Sequence, residues 1–173
     1  MLKVGKLSYK LIIFAGAPGS GKTTICELLQ KELNSPLIDF GRLREWHLDR
    51  EWKNTNAKEE EMAFENLVYV LKNYIKNGYN NILVNDLRED KVMKLAKIFP
   101  KKIIISLILD EAVLRKRVVN PKRDSGFRDV GKAVIQNKKL QRRKLLENEI
   151  RIDNSNNNPK KIVKELLVLL KRR

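Results

Sequence analysis

Cysteine is almost missing from this chain of 173 residues: Cys26 stands alone. A single cysteine excludes an intramolecular disulfide framework and any zinc site built on several thiolates. Histidine is equally scarce, with His47 the only one. No apolar run approaches the roughly 18 residues that a membrane span requires. Met1 to Lys10 lacks the apolar stretch and small-residue cleavage site of a signal peptide. There is no internal repeat and no linker long enough to separate domains, and the Asn-rich stretch 154–158 is too short to form a low-complexity region. These absences leave a basic globular protein, expected in the cytoplasm as one domain over 1–173, with no membrane partner.

Positive charge, by contrast, is plentiful. The chain holds 37 basic and 21 acidic side chains, a net +16. The surplus is uneven, with a net +3 over residues 1–100 and +13 over residues 101–173. A basic half suits a nucleic acid or another polyanion as partner. Lys, Asn and Ile are all abundant, however, and an A+T-rich coding sequence produces that composition without selection for binding. Hydrophobic residues make up 42 %, enough for one core.

Apolar periodicity predicts alternating strands and helices. Tyr9 to Ala15 is a short β-branched run ended by a Gly/Pro cluster and reads as a buried strand. Thr23 to Leu33 carries Ile25, Leu28, Leu29 and Leu33 at helical spacing. Strands are predicted at Pro36 to Phe40, Asn81 to Asn85, Ile103 to Leu109 and Ile150 to Ile152. Helices are predicted at Ala57 to Asn77, Lys91 to Ile98, Glu111 to Val119, Lys132 to Glu149 and from Pro159 onward. The long helix is expected to turn Met62, Phe64, Leu67, Val68, Leu71 and Ile75 inward. Unbroken apolar strands separated by helices predict an α/β fold: a parallel five-stranded sheet with helices on both faces.

Gly16-Ala17-Pro18-Gly19-Ser20-Gly21-Lys22-Thr23 matches G-x-x-x-x-G-K-[ST] in full, between a predicted strand and a predicted helix. Glycines let the backbone turn sharply and aim successive N–H groups at a phosphate. The helix start adds partial positive charge. Lys22 supplies a point charge for the β- and γ-phosphates, and the Thr23 hydroxyl a ligand for Mg²⁺. Thr24, next on the same turn, joins the nucleotide-binding set.

Together with this loop, the compact chain resembles the small P-loop kinases: nucleoside and nucleotide kinases, shikimate-type kinases and polynucleotide 5′-hydroxyl kinases. The guanine-reading N-K-x-D pattern of GTPases is missing. The resemblance covers nearly the whole element order, although only a few short motifs are specific. It implies a P-loop kinase fold and ATP- and Mg²⁺-dependent transfer of the γ-phosphoryl group to a hydroxyl. The acceptor would be a nucleoside or polynucleotide 5′-hydroxyl, or a small metabolite. A nucleoside monophosphate kinase and a nucleic-acid-binding NTPase without kinase activity stand as alternatives.

The resemblance also assigns roles. Asp39-Phe40-Gly41-Arg42 matches an Asp-x-x-Arg that faces the acceptor, with Asp39 taking the hydroxyl proton and Arg42 orienting the acceptor. The competing reading makes Asp39 a helix cap. Arg44 is a second candidate for the acceptor pocket, within a segment at about 41–57. Asp86, closing the apolar run Ile82-Leu83-Val84, is the expected metal-side carboxylate, and the roles of Asp39 and Asp86 are interchangeable at this stage. Arg117 and Arg123 are expected to close over the phosphates from a helix and a lid at about 120–129. A solvated basic face is the alternative for this arginine-rich stretch, which includes Arg115 and Arg128. Asp153 and Asn154 are expected beside the nucleotide base.

Other residues read as structural. His47 is expected to be incidental and Cys26 to pack in the core. Trp46 and Trp52 either stack on a base or anchor their segment. Glu59, Glu60 and Glu61 suit the start of the long helix through its dipole.

Overall fold

Strand β1 (Leu11–Gly16) lies at the centre of the sheet and delivers the glycine-rich loop to its carboxyl edge. The computed structural model describes residues 9–49, 53–122, 126–156 and 158–172. After β1 follow α1 (Lys22–Leu33), β2 (Leu37–Asp39), α2 (Phe40–Arg44), α3 (Ala57–Lys76) and β3 (Ile82–Asn85). Then come α4 (Glu89–Ile98), β4 (Lys102–Ile108), α5 (Glu111–Val119), α6 (Val130–Arg142), β5 (Glu149–Asp153) and α7 (Pro159–Arg172). The five strands are all parallel in the order β2-β3-β1-β4-β5. A central β1 with neighbours reached in opposite directions opens a crevice at the carboxyl edge, where ligands of such sheets bind.

The period of two along β1 splits the core. Leu11, Ile13 and Ala15 face one side, packing with Ile82, Val84 and Leu67 and Leu71 of α3. Ile12 and Phe14 face the other, with Ile25 and Leu29 of α1 and Val163 and Leu166 of α7. A smaller cluster under α5 and α6 joins Leu114, Val118 and Ala133 to Ala17 of the loop. Cys26 is fully buried, and burial pushes its thiol pKa well up, so it packs as an inert apolar group.

Three expectations need correction. Phe40 does not extend the second strand: the Asp39 side chain accepts from the Arg42 backbone N–H and starts α2 there. The basic helix stops at Arg142, not Glu149, because Glu149 enters the sheet and its carboxylate is held by Arg143, Ser106 and the Leu146 N–H. Met62 is 44 % exposed; Glu59 and Ala63 take the inward places of that turn.

Candidate active site

The loop between β1 and α1 is shaped by what surrounds it. Gly16 has φ +150, and a Cβ there would lie 2.8 Å from the Leu107 carbonyl oxygen and 2.6 Å from Ser20 Oγ. Gly21 caps α1 in the left-handed region, and a Cβ would lie 2.6 Å from Asn154 Nδ2. Both positions therefore require glycine. The first turn of α1 contains no acidic residue, so its N–H groups and positive end are left for an anion. Thr23 and Thr24 are exposed on that turn. Lys22 curls back, its Nζ donating to the carbonyls of Gly16 at 2.8 Å and Ala17 at 3.2 Å. Pro18 and Gly19 are the central residues of a turn that the Ser20 N–H closes by donating to the Ala17 carbonyl at 3.0 Å.

Asn154 ties this loop to the far strands. Its Nδ2 donates to the Ser20 carbonyl at 2.8 Å, its backbone N–H to Ile108, and its carbonyl accepts from Arg117 at 2.8 Å. The side chain is 3 % exposed, and both Asn154 Oδ1 and the buried Ser20 Oγ lack a hydrogen-bond partner. Arg117 thus reaches from α5 to the loop that follows β5, beside Asp153; burial lowers its pKa and Asp153 counters that. Arg123, like Trp52, lies outside the described residues. Arg115 pairs with Glu111 one turn away, the solvated-face reading, and Arg128 Nη1 donates to the Phe127 carbonyl.

A second group of side chains meets the loop at the ends of β2 and β3. Asn85 Nδ2 lies 3.4 Å from Thr23 Oγ1 and 3.3 Å from Asp39 Oδ2, while Asp39 Oδ1 caps α2 at 3.1 Å. The cap and the functional reading of Asp39 are therefore compatible: one oxygen fixes the carboxylate and leaves the other toward the loop. Asp86, in the left-handed region at φ +62, completes the group. A Cβ at Gly41 would lie 2.6 Å from Asp86 Oδ2 and 3.2 Å from Asp39 Oδ1, so both carboxylates crowd this one glycine. Dehydration raises the Asp86 pKa, Lys22 lowers it and Asp39 raises it further. Asn85 was missed by sequence reasoning; a polar residue ending a buried strand beside a phosphate loop is the signal that would have found it.

Among the described residues no cluster of three His, Cys, Asp or Glu side chains could hold a metal alone. Mg²⁺ in a nucleotide site keeps water and phosphate oxygens and needs few protein donors. The Thr23 hydroxyl, the Asp39–Asp86 pair and the unpartnered, buried Asn85 Oδ1 fit that requirement.

The acceptor-side segment is strapped by α3. Glu59, 6 % exposed, receives Arg44 through Nε and Nη2 at 3.3 and 3.2 Å and His47 Nε2 at 2.9 Å. Burial would raise its pKa, but hydrogen bonds from Arg44 and His47 hold it below the usual carboxylate range. Glu60 pairs with Arg88, and Glu61 with Lys91 and Lys94. The three glutamates thus bind α3 to α2 and α4 as well as complementing its dipole. Arg44 and His47 belong to this strap. Arg42, in contrast, borders a cavity of about 450 Å³ shared with Thr23, Asp39, Asn85 and Trp46.

A parallel sheet in this order, with the phosphate loop after its central strand, defines a small P-loop protein of the kinase type. The chain belongs to the AAA-domain family, whose model matches residues 12–142. It is 24 % identical over 167 residues to a Pyrococcus abyssi protein named "Putative adenylate kinase", covering 93 % of this chain and 84 % of that one. Its fold is similar to that of a gluconokinase from Sinorhizobium meliloti (TM-score 0.65, 18 % identity, 95 % and 93 % of the two chains). It is similar also to a shikimate kinase from Bacteroides thetaiotaomicron (TM-score 0.64, 16 % identity, 93 % and 98 %). No helix among the described residues is long and apolar enough to cross a membrane.

Proposed function

We propose that this protein transfers the γ-phosphoryl group of ATP, with Mg²⁺, to a hydroxyl acceptor. The observation that carries this reading is that Thr23, Asp39, Arg42 and Asn85 border one cavity at the carboxyl edge of the sheet. Phosphoryl transfer needs positioning, charge stabilisation and one proton acceptor, and these residues divide that work. The loop amides of residues 16–21 and the start of α1 hold the triphosphate, and Lys22 exchanges its two loop carbonyls for phosphate oxygens. Asp39 Oδ2 takes the hydroxyl proton while its other oxygen keeps the α2 cap. Arg42 orients the acceptor. Thr23 and Asp86, with Asn85, would hold Mg²⁺, which neutralises charge on the β- and γ-phosphates when bound. Arg117 and Arg123 are assigned to the phosphates, and Asp153 and Asn154 to the base side.

A second reading, transfer to a nucleoside monophosphate, is favoured by the name of the Pyrococcus abyssi relative. An ionised phosphate acceptor needs no base, which separates the two. With γ-labelled ATP, transfer to a hydroxyl predicts that Lys22→Ala abolishes labelling and Asp39→Asn lowers kcat by about 10²- to 10⁴-fold. Labelling of a monophosphate with undiminished kcat in Asp39→Asn establishes the second reading instead.

A further inference from the structure

The cavity beside Asp39 has two unlike walls and one reactive end. Helix α1 contributes Thr23, Glu27 and Gln30, at i, i+4 and i+7, so a single polar stripe runs away from the phosphate loop. From Thr23 to Gln30 the helix rises about 10 Å. That matches the reach from a primary hydroxyl across a sugar to the far edge of a base. The facing wall is apolar: Val70 and Tyr74, one turn apart on α3, Leu43 of α2, and Trp46 in the turn that follows it. Leu37 and Ile38 of β2 form the floor. The volume, about 450 Å³, falls in the roughly 300–1,000 Å³ range of small-molecule sites.

Trp46 is 76 % exposed although it borders this cavity. What sets it apart from the equally open Tyr69 is that its ring lines a cavity whose other end holds Asp39, so the exposed surface is available to whatever enters there. Its place in the apolar wall, opposite hydrogen-bonding side chains, is the arrangement that holds a flat ring by its face and reads it by its edge. Glu27 accepts, and Gln30 both donates and accepts, so the pair can read a heterocycle carrying amino and carbonyl groups.

Charge narrows the occupant further. Arg42 is the one cation among the described residues lining the cavity, set against the two carboxylates of Glu27 and Asp39. A doubly ionised monophosphate would enter against that balance. A polynucleotide end would need a cationic track, and the basic segment 101–173 builds β4, β5 and α5 to α7, whereas the cavity lies along β2 at the opposite edge of the sheet.

We propose that this cavity binds an uncharged alcohol with a planar heterocycle, of the nucleoside class, its primary hydroxyl at Asp39 and its ring between Trp46 and the Glu27–Gln30 stripe. The inference rests on the phosphotransferase reading and names its acceptor. In the step implied, the acceptor oxygen bonds to the γ-phosphorus as the bond to the bridging oxygen breaks. The hydroxyl proton passes to Asp39, and ADP leaves.

The test uses the full chain with Mg²⁺ and γ-labelled ATP. The acceptors are adenosine, guanosine, cytidine and uridine, their 5′-monophosphates, a 5′-hydroxyl oligonucleotide and ring-free polyols. Equilibrium dialysis of labelled nucleosides in the presence of ADP runs alongside. At least one nucleoside is expected to be labelled with kcat/KM tenfold or more above its monophosphate. Trp46→Ala is expected to raise KM for that nucleoside roughly 5- to 100-fold, more than it lowers kcat, and Glu27→Gln to change the ranking of the four nucleosides. Labelling of monophosphates, oligonucleotide ends or polyols with nucleosides inert overturns this proposal and leaves phosphoryl transfer standing. Saturable nucleoside binding that Trp46→Ala weakens, without labelling of any acceptor, supports the cavity's ligand and overturns the phosphotransferase reading. Neither labelling nor nucleoside binding overturns both.

Discussion

The two sides of the site are held in different ways. On the phosphate side the constraint is steric: backbone and buried amides approach Gly16 and Gly21 so closely that no side chain fits. Asn154 there links the loop, β4 and Arg117 through three hydrogen bonds. On the acceptor side the constraint is electrostatic. The three-residue strand β2 is half-buried and the five-residue helix α2 sets only Phe40 and Leu43 into the core, and Glu59, Glu60 and Glu61 strap α2, α4 and the turn at Arg88 to α3. A triphosphate is the same molecule in every P-loop protein, so its cradle can be rigid. The acceptor varies, and ion pairs between surface elements allow that segment to change without disturbing the sheet.

The contrast breaks most sharply under one added methyl group. Gly16→Ala places a Cβ against the Leu107 backbone oxygen in a conformation that L side chains rarely adopt. We expect a loss of about 3 kcal/mol in stability and no measurable ADP binding by calorimetry. Gly41→Ala meets the movable ends of Asp86 and Asp39 instead. Its expected cost is about 1 kcal/mol, with nucleotide binding retained and kcat reduced. Equal losses in the two variants would remove the distinction between a steric and an electrostatic side.

Next in size is the Glu59 strap. Glu59→Gln leaves Arg44 and His47 facing a neutral amide, for an expected loss of about 2 kcal/mol in urea titrations at pH 7.5. Glu59 has a lowered folded pKa, so its contribution is present above the ordinary glutamate value and fades as pH falls through the folded one. The gap between wild type and variant should therefore close on acidification. Asn154→Ala makes the comparison on the other side: it frees the Ser20 carbonyl and should weaken ATP binding while leaving acceptor KM unchanged. Glu59→Gln should do the reverse.

What the sequence made legible follows the same division. The loop motif and all five strands were readable because periodicity and glycine spacing are local properties. Asp39 was readable by motif, but its double use as cap and cleft carboxylate was not, since that depends on how α2 leaves β2. The end of α6 was misplaced because a run of Lys, Arg and Leu continues the helical pattern past Arg142. What stops it is the pull of Glu149 into β5, held by Arg143 and Ser106. Glu59 looked like an ordinary dipole partner; only the return of the chain from Arg44 and His47 makes it a buried hub. Asn85 offered only its polar place at the end of a buried strand, and the Glu27–Gln30 stripe gave no sign in one dimension, because its meaning comes from neighbours on other elements.

The smallest expected effect tests whether the two sides meet at Asp86. Its folded pKa is raised, chiefly by dehydration and also by Asp39, so the fold carries a penalty for the charged form. Below the ordinary aspartate range Asp86 is protonated in both states and the penalty vanishes; as pH rises through the raised folded value, the penalty is fully present. Asp86→Asn removes it. The variant should melt a few degrees higher than wild type at pH 7.5, and the two curves should converge once the pH is below the ordinary aspartate range, at about pH 3. Millimolar Mg²⁺ with ADP should narrow the neutral-pH gap, because a cation beside Asp86 relieves the repulsion in wild type and has less to relieve in the variant. A gap that persists unchanged with Mg²⁺ and ADP would place the metal away from Asp86 and move the metal-side role to Asp39.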